Sequence, residues 1–298
     1  MQDSVIELSE GRLSIGLVPE IGGSLSWFRI DGIDLMRPLS SVDRENMNVL
    51  GVAMFPMVPY ANRIAENSFD FGGREWRFAA NNPPERLNVH GTGWHSRWNL
   101  QIDGKSAQLS LERIAPDEPY SYYATQLFSL SAYGLTVQLG LTNKGDVAMP
   151  FGFGLHPWFE RSTATRLSFG ATHFFMEGPD GVAAEVIAVP PELDFRNPAH
   201  LPDTWHNNNY GGWDGVAEIT FPERGVGLRI EADAIFGHLM LYADPLKPYF
   251  CVEPQSNAPC AFNRMSGRDG ARFGARVLAP GERLEGTVRF LPFASAAT

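Results

Sequence analysis

The sequence predicts an all-β protein, and three features carry that expectation. Glycine and proline punctuate the chain 30 and 22 times in 298 residues, which suits short strands and turns better than long helices. Several segments alternate apolar and polar positions with period two: Arg12-Leu-Ser-Ile-Gly-Leu-Val, Gln108-Leu-Ser-Leu-Glu-Arg-Ile, Gln126-Leu-Phe-Ser-Leu, Leu135-Thr-Val-Gln-Leu-Gly-Leu, Val226-Gly-Leu-Arg-Ile-Glu-Ala and Leu284-Glu-Gly-Thr-Val-Arg-Phe. Each reads as a strand with one buried face. No stretch sustains an amphipathic helical period over three turns.

These strands are expected to form a single domain over residues 1–298. The length would allow two ordinary domains or one large β domain, and no linker divides the chain. The two longest polar, turn-rich stretches, Ala79 to Leu87 and Pro190 to Trp213, read as long loops over a sandwich, because strand-like sequence resumes after each. A hydrophobic content of 44%, with 12% aromatic residues, provides for a substantial buried core.

A net charge of −10 argues against a nucleic-acid groove or an anionic membrane surface as partner. The two cysteines, Cys251 and Cys260, lack CxxC or Cys/His ligand spacing, so neither a zinc site nor a disulfide framework is expected. The start of the chain, Met1-Gln-Asp-Ser-Val-Ile-Glu, has no basic segment followed by an apolar one. No apolar run approaches the ~20 residues of a membrane helix. The expectation is a cytoplasmic protein, a monomer or homodimer, that needs no metal or cofactor.

Four segments combine ionisable groups with glycine, proline and aromatic residues. In Pro56-Met-Val-Pro-Tyr-Ala-Asn-Arg-Ile-Ala, Arg63 lies between apolar neighbours, either salt-bridged at a strand end or serving a site. In Leu87-Asn-Val-His-Gly-Thr-Gly-Trp-His, the glycines after His90 let backbone approach a ligand closely. Trp94 and Trp98 there could offer apolar faces to a sugar ring, while the plainer alternative has His90 satisfying a loop. In Gly152-Phe-Gly-Leu-His-Pro-Trp-Phe, His156 sits in a nearly all-apolar run, where a histidine needs either a satisfying partner or a job. In Tyr249-Phe-Cys-Val-Glu-Pro-Gln-Ser-Asn-Ala-Pro, Glu253 closes a hydrophobic run directly before a proline expected to end ladder pairing. Burial there pushes a carboxyl pKa up toward general-base range; the alternative is a structural ion pair with an arginine.

Taken in order, these segments resemble the aldose 1-epimerases, or galactose mutarotases. Ala61-Asn-Arg-Ile is similar to a family element, followed by Phe69-Asp-Phe-Gly-Gly-Arg-Glu-Trp as a strand and turn. Leu87-Asn-Val-His-Gly matches the element carrying the first active-site histidine, and Gly154-Leu-His-Pro-Trp-Phe resembles a variant of the second. Gly212-Trp-Asp stands where the family has Gly-Tyr-Asp, Val252-Glu-Pro-Gln carries the family glutamate, and Leu278-Ala-Pro-Gly-Glu-Arg-Leu matches a late turn. The N-terminal Leu17-Val-Pro-Glu-Ile-Gly-Gly-Ser-Leu also fits, so the likeness spans almost the whole chain. His156 lacks the Asn-His-x-Tyr-Phe-Asn-Leu setting of galactose mutarotases, and Asp214 is not followed by His-Asn.

The resemblance implies a large, antiparallel, twisted β-sandwich and a cofactor-free exchange of α and β anomers of a hexose-type sugar. It implies Glu253 as base and His156 as acid, flanking one pocket. Arg63 and His90 would hold the ring oxygen and neighbouring hydroxyls, and Asp214 a hydroxyl farther round the ring. Trp94, Trp158 and Trp213 adjoin these residues, and at least one is expected to line the pocket. Two other readings compete. A hexose-6-phosphate or other anionic-hexose epimerase would surround the site with arginines, for which Arg63, Arg74, Arg86, Arg97 and Arg264 are candidates. A non-catalytic carbohydrate binder would have no need of both Glu253 and His156.

Overall fold

The computed structural model describes residues 5–115, 118–178, 181–267 and 270–295. The period-two segments all form strands: Leu13–Val18, Ser106–Arg113, Tyr122–Ser131, Gly134–Asn143, Val226–Ala232 and Arg283–Ala294. In Tyr122–Ser131 the alternation is literal, with Tyr122, Ala124, Gln126, Phe128 and Leu130 buried and the residues between them partly open. Among the described residues, α-helix is limited to Ser41–Glu45 and Ala261–Arg264.

Two large antiparallel sheets make up the body. One runs in the order Ala199–His200, Arg166–Phe169, Val216–Phe221, Val226–Ala232, Arg283–Ala294, Gly134–Asn143, Tyr122–Ser131, Ser106–Arg113 and Asn99–Asp103. The other runs Ile6–Glu10, Leu13–Val18, Ser24–Ile30, Met54–Met57, Gly154–Glu160, Tyr249–Gln255, His238–Ala243, His206–Gly211, His173–Glu177 and Ala183–Ala188, with Ile33–Asp34 added beside Ser24–Ile30. A continuous apolar cluster draws on both sheets, joining Phe128, Val137, Ile219, Leu228 and Val288 of the first to Ile15, Leu155, Phe159, Leu241 and Val252 of the second. That is the core of a β-sandwich.

The second sheet is also covered on its outer face. A separate cluster there joins Phe55, Met57, Trp158 and Cys251 on strands to Val49, Val52, Val89 and Trp94 from the segments laid over them. Strands buried on both sides read as continuous apolar runs. This explains Gly154–Glu160, where every residue but the last is buried.

Two expectations need correction. The stretch from Pro190 to Trp213 is not one loop, because it contains the strand His206–Gly211, paired on both sides within the second sheet. Its polar Asn207-Asn-Asn hides the signal, since residues on one side of this strand face other polar side chains instead of an apolar core. Pro254 likewise does not end its strand, which pairs on through Leu239↔Pro254 and His238↔Gln255. Proline lacks only a donor, and that gap falls where the ladder to Gly154–Glu160 is interrupted.

The segment after Gln255 clamps the segment holding Arg63. Asn257, 2% exposed, accepts from the Ala61 N–H at 3.1 Å and donates to the Ala61 carbonyl at 2.9 Å. Gly152 makes room for this, since a Cβ there would lie 2.0 Å from Asn257 Oδ1. Asn257→Ala should leave both Ala61 groups buried and unpaired, lowering unfolding free energy by ~2 kcal/mol or more. Asn257→Asp should not rescue the loss, because it turns a buried carboxylate oxygen toward the Ala61 and Ala258 carbonyls. Urea denaturation midpoints at constant slope provide the measurement.

Candidate active site

Alternation along two neighbouring strands builds the centre of the site. Trp158 pairs with Cys251 and Gly154 with Gln255, and that register sets His156 opposite Glu253 on the sheet's outer face. The two side chains touch, with His156 Nε2 3.2 Å from Glu253 Oε1. They are therefore adjacent cross-strand neighbours and do not face each other across a cleft. Both are buried, at 8% and 3% exposure. The row continues sideways, Phe55 opposite His156, Met240 opposite Glu253 and Asn209 opposite Met240.

A chain of hydrogen bonds holds the carboxylate. His238 Nδ1 lies 2.8 Å from Asn209 Oδ1, Asn209 Nδ2 donates to Gln255 Oε1 at 3.2 Å, and Gln255 Nε2 donates to Glu253 Oε2 at 2.8 Å. Each amide uses its oxygen toward His238 and its nitrogen toward Glu253, so every donor points toward the carboxylate. Asn209 and Gln255 are almost fully buried, at 1% and 0% exposure, and reversing either amide would set like atoms against each other.

His156 is held as a flat ring between flat rings, stacked on Phe55 at 4.4 Å and on Trp158 at 4.8 Å. His90 meets it edge-on at 5.4 Å. His90 has φ +59°, a left-handed backbone unusual for a non-glycine residue. It is locked by two bonds to Asn62, whose N–H donates to His90 Nδ1 at 3.0 Å and whose carbonyl accepts from the His90 N–H at 2.9 Å. Because Nδ1 accepts, the proton of a neutral His90 sits on Nε2. Gly91, φ +66°, must be glycine, since a Cβ would lie 2.3 Å from Pro59 Cδ and 2.7 Å from the Val58 carbonyl oxygen.

Burial inverts the ordinary order of the two central groups. Desolvation pushes the Glu253 carboxyl up to about 8, against the opposing pulls of the Gln255 hydrogen bond and Arg63. Desolvation brings His156 down to about 3, and the positive charge of Arg37 acts in the same direction. His90 is lowered by burial first, then by His156 and Arg63. Over the window between about 3 and about 8, Glu253 and His156 together hold one proton and no net charge, the state a desolvated pocket tolerates best.

The other anticipated residues divide. Arg63 is near enough to act on Glu253 and His90, but its guanidinium pairs with Glu85 Oε2 at 2.8 and 3.3 Å. Trp94 is 1% exposed and supports the site from behind, stacked on Phe55 at 5.2 Å. Trp158 is the indole directly against His156. Trp213 is not brought to this cluster: it belongs to the main core and donates to the Val216 carbonyl at 2.8 Å. Asp214 is not brought there either. It is exposed, accepts from the Val216 N–H at 3.1 Å, and lines a separate surface hollow with Arg196 and Arg229.

Other residues of the site are less conspicuous in the sequence. Gln255 and Cys251 were legible by alternation from Glu253. Asn209 was hidden in an apparent loop, and His238 opens an otherwise apolar strand. Arg37 gave no local signal; it lies over Trp158 at 4.5 Å and Tyr249 at 4.8 Å and donates to the Val52 carbonyl at 3.2 Å. Among the described residues, one group has metal-ligand chemistry: His156, Cys251 and Glu253 each place a donor atom within 4.8 Å of the others. Their spacing in the sequence gives no hint of it.

The family model described as Aldose 1-epimerase matches residues 4–291. The chain belongs to the aldose 1-epimerase family. It is 34% identical over 287 residues to the uncharacterized Escherichia coli K12 protein YphB, covering 94% of this chain and 95% of that one. Among solved structures, a galactose mutarotase-like protein from Clostridium acetobutylicum superposes with a TM-score of 0.84 at 18% identity, covering 99% of this chain and 97% of that one. The GalM/aldose epimerase homologue of Caenorhabditis elegans gives 0.82 at 17% identity, over 98% and 99% of the two chains. At these identities the two structures show that the fold is the family's.

A carboxyl whose pKa is raised by folding weakens the folded state as pH rises, because the unfolded chain ionises first. For Glu253 this loss begins near the ordinary value of 4.5 and is complete near 8. Glu253→Gln, which cannot ionise, should therefore gain thermal stability relative to wild type across that window. Melting temperatures of the two proteins between pH 4 and pH 9 should diverge upward for the variant; parallel curves would mean that Glu253 is not desolvated as described.

Proposed function

We propose that this protein is an aldose 1-epimerase that interconverts the anomers of a neutral hexose-type sugar by acid–base ring opening and closure. The observation that carries this reading is the 3.2 Å contact of His156 with Glu253, both of them buried. A hemiacetal bears its hydroxyl and its ring oxygen on one carbon. A base for the first and an acid for the second must therefore be neighbours, as these two are.

Glu253 as carboxylate takes the proton of the anomeric hydroxyl while His156 as imidazolium protonates the ring oxygen, and the C1–O5 bond breaks to give the open aldehyde. Rotation about C1–C2 presents the other face. Closure reverses both transfers, returning the proton from Glu253 to the new hydroxyl and the ring proton to His156. The pair contains one proton throughout, exchanged between its two tautomers, so the pocket is not required to bury net charge. The donor chain ending at Gln255 favours carboxylate over carboxylic acid, and the depressed pKa of His156 makes its imidazolium a strong acid. His90, with its proton on Nε2, supplies a donor toward the sugar oxygens, and Arg63, held by Glu85, adds positive charge nearby. Trp158 and Phe55 keep the imidazole ring in plane.

A neutral sugar is favoured over a phosphorylated one by how the arginines are spent. Arg63 is paired with Glu85, Arg264 donates to the Ala183 carbonyl, and Arg74 lies over Trp76 on the Arg74–Arg77 strand. A pure binder would not require a desolvated acid–base pair in contact, at the stability cost that such burial carries.

Polarimetry on a freshly dissolved single anomer tests the proposal. Glu253→Gln and His156→Asn should each slow mutarotation by roughly 10²-fold or more. The double variant should lose little beyond either single one, since both groups act in one transition state. The rate should be level through pH 5–7 and fall above about 8, where the pair loses its proton. Near-normal rates for Glu253→Gln, or faster turnover of a hexose 6-phosphate than of the free hexose, would overturn this assignment.

A further inference from the structure

The three side chains at the centre of the site have a second chemistry. Cys251 and Glu253 lie two residues apart on one strand and so share a face, and His156 stands opposite them on the next strand. An imidazole nitrogen, a sulfur and a carboxylate oxygen lie within 4.8 Å of one another, all from buried residues. Nothing in anomer exchange uses the sulfur.

We propose that His156, Cys251 and Glu253 form a binding site for a thiophilic divalent cation such as Zn²⁺, and that its occupancy blocks the acid–base pair. Nitrogen, sulfur and oxygen donors together select zinc-like ions over magnesium or calcium, which prefer all-oxygen sets. Zinc bound at ~2.0–2.3 Å from each donor needs those atoms roughly 3.5 Å apart. The His156–Glu253 pair already stands at 3.2 Å, so closure falls mainly to the Cys251 side chain. Charge balance favours the complex: a thiolate and a carboxylate neutralise the dication, and a neutral imidazole completes three ligands, leaving the fourth position to a water. Binding expels the proton shared by His156 and Glu253 and the thiol proton of Cys251. The imidazole keeps its second proton on Nδ1, which is buried without a partner, so no group orients the ring toward the metal; this limits affinity and makes the cation a reversible occupant.

Cation binding does not depend on the mutarotase reading; only the inhibition does, and the two are measured separately. Zinc binding by competition with a chromophoric chelator should give one equivalent per chain, with protons released to a weakly buffered solution. Cobalt(II) in the same site should show thiolate-to-metal charge-transfer absorption. Cys251→Ala and Cys251→Ser should each lose that absorption and weaken zinc binding by tenfold or more, and using both guards against a folding defect in either one. Mutarotation in the wild type should fall in step with zinc occupancy and return on adding EDTA. Each cysteine variant, compared with its own zinc-free rate, should need at least tenfold more zinc for the same loss. Equal zinc affinity in wild type and both variants, or full zinc occupancy with an undiminished rate, would overturn the proposal. Absence of mutarotation in every protein, with cobalt absorption intact in the wild type and lost in both variants, would instead refute the enzymatic reading and leave the cation site standing.

Discussion

The contact between His156 and Glu253 depends on dehydration, and most of the surrounding structure maintains that condition. In water these groups would separate into imidazole and carboxylate with unremarkable acidities. Under the Val49–Val52 and Val89–Trp94 segments, each is stripped of solvent and pushed toward its neutral form. Around this pair the outer face of the second sheet is thus covered as the inner one is. A half-solvated sheet face would hold the same residues at the same register and deny them the same chemistry.

Dehydration alone would neutralise Glu253 for good. The polar chain from His238 through Asn209 and Gln255 opposes it by aiming an amide donor at the carboxylate. It is made of neutral groups, so it adds no unpaired charge, and it is buried, so its direction is not lost to solvent exchange. Arg63 and Arg37 act as more distant positive charges, one on each member of the pair. Both cations are held elsewhere, by Glu85 and by backbone carbonyls with two aromatic rings. They contribute field without collapsing onto the carboxylate.

The motifs that recur together along the chain are physically attached to each other. The segment around Arg63 is clamped by Asn257, just beyond Gln255, and by the Cys260 N–H donating to the Arg63 carbonyl. It bonds in turn to His90 through Asn62. The arginine, first-histidine and glutamate segments are therefore one hydrogen-bonded unit. The Gly212-Trp-Asp turn lies outside it, which is why likeness in sequence order did not bring Asp214 to the site.

The sequence alone determined the all-β class and the family likeness, and it singled out Glu253, His156, His90 and Arg63. Alternation is a local property of strands, and a carboxylate or histidine in an apolar run is conspicuous wherever the run ends up. The tertiary structure decided the rest. Whether Asn207-Asn-Asn was loop or strand depended on which neighbours it met, because polar residues facing a polar pocket look like polar residues facing water. Arg37 and Cys251 acquired their relation to His156 only through cross-strand register and packing. The inversion of the two acidities follows from desolvation, and burial is fixed by contacts between segments far apart in the chain.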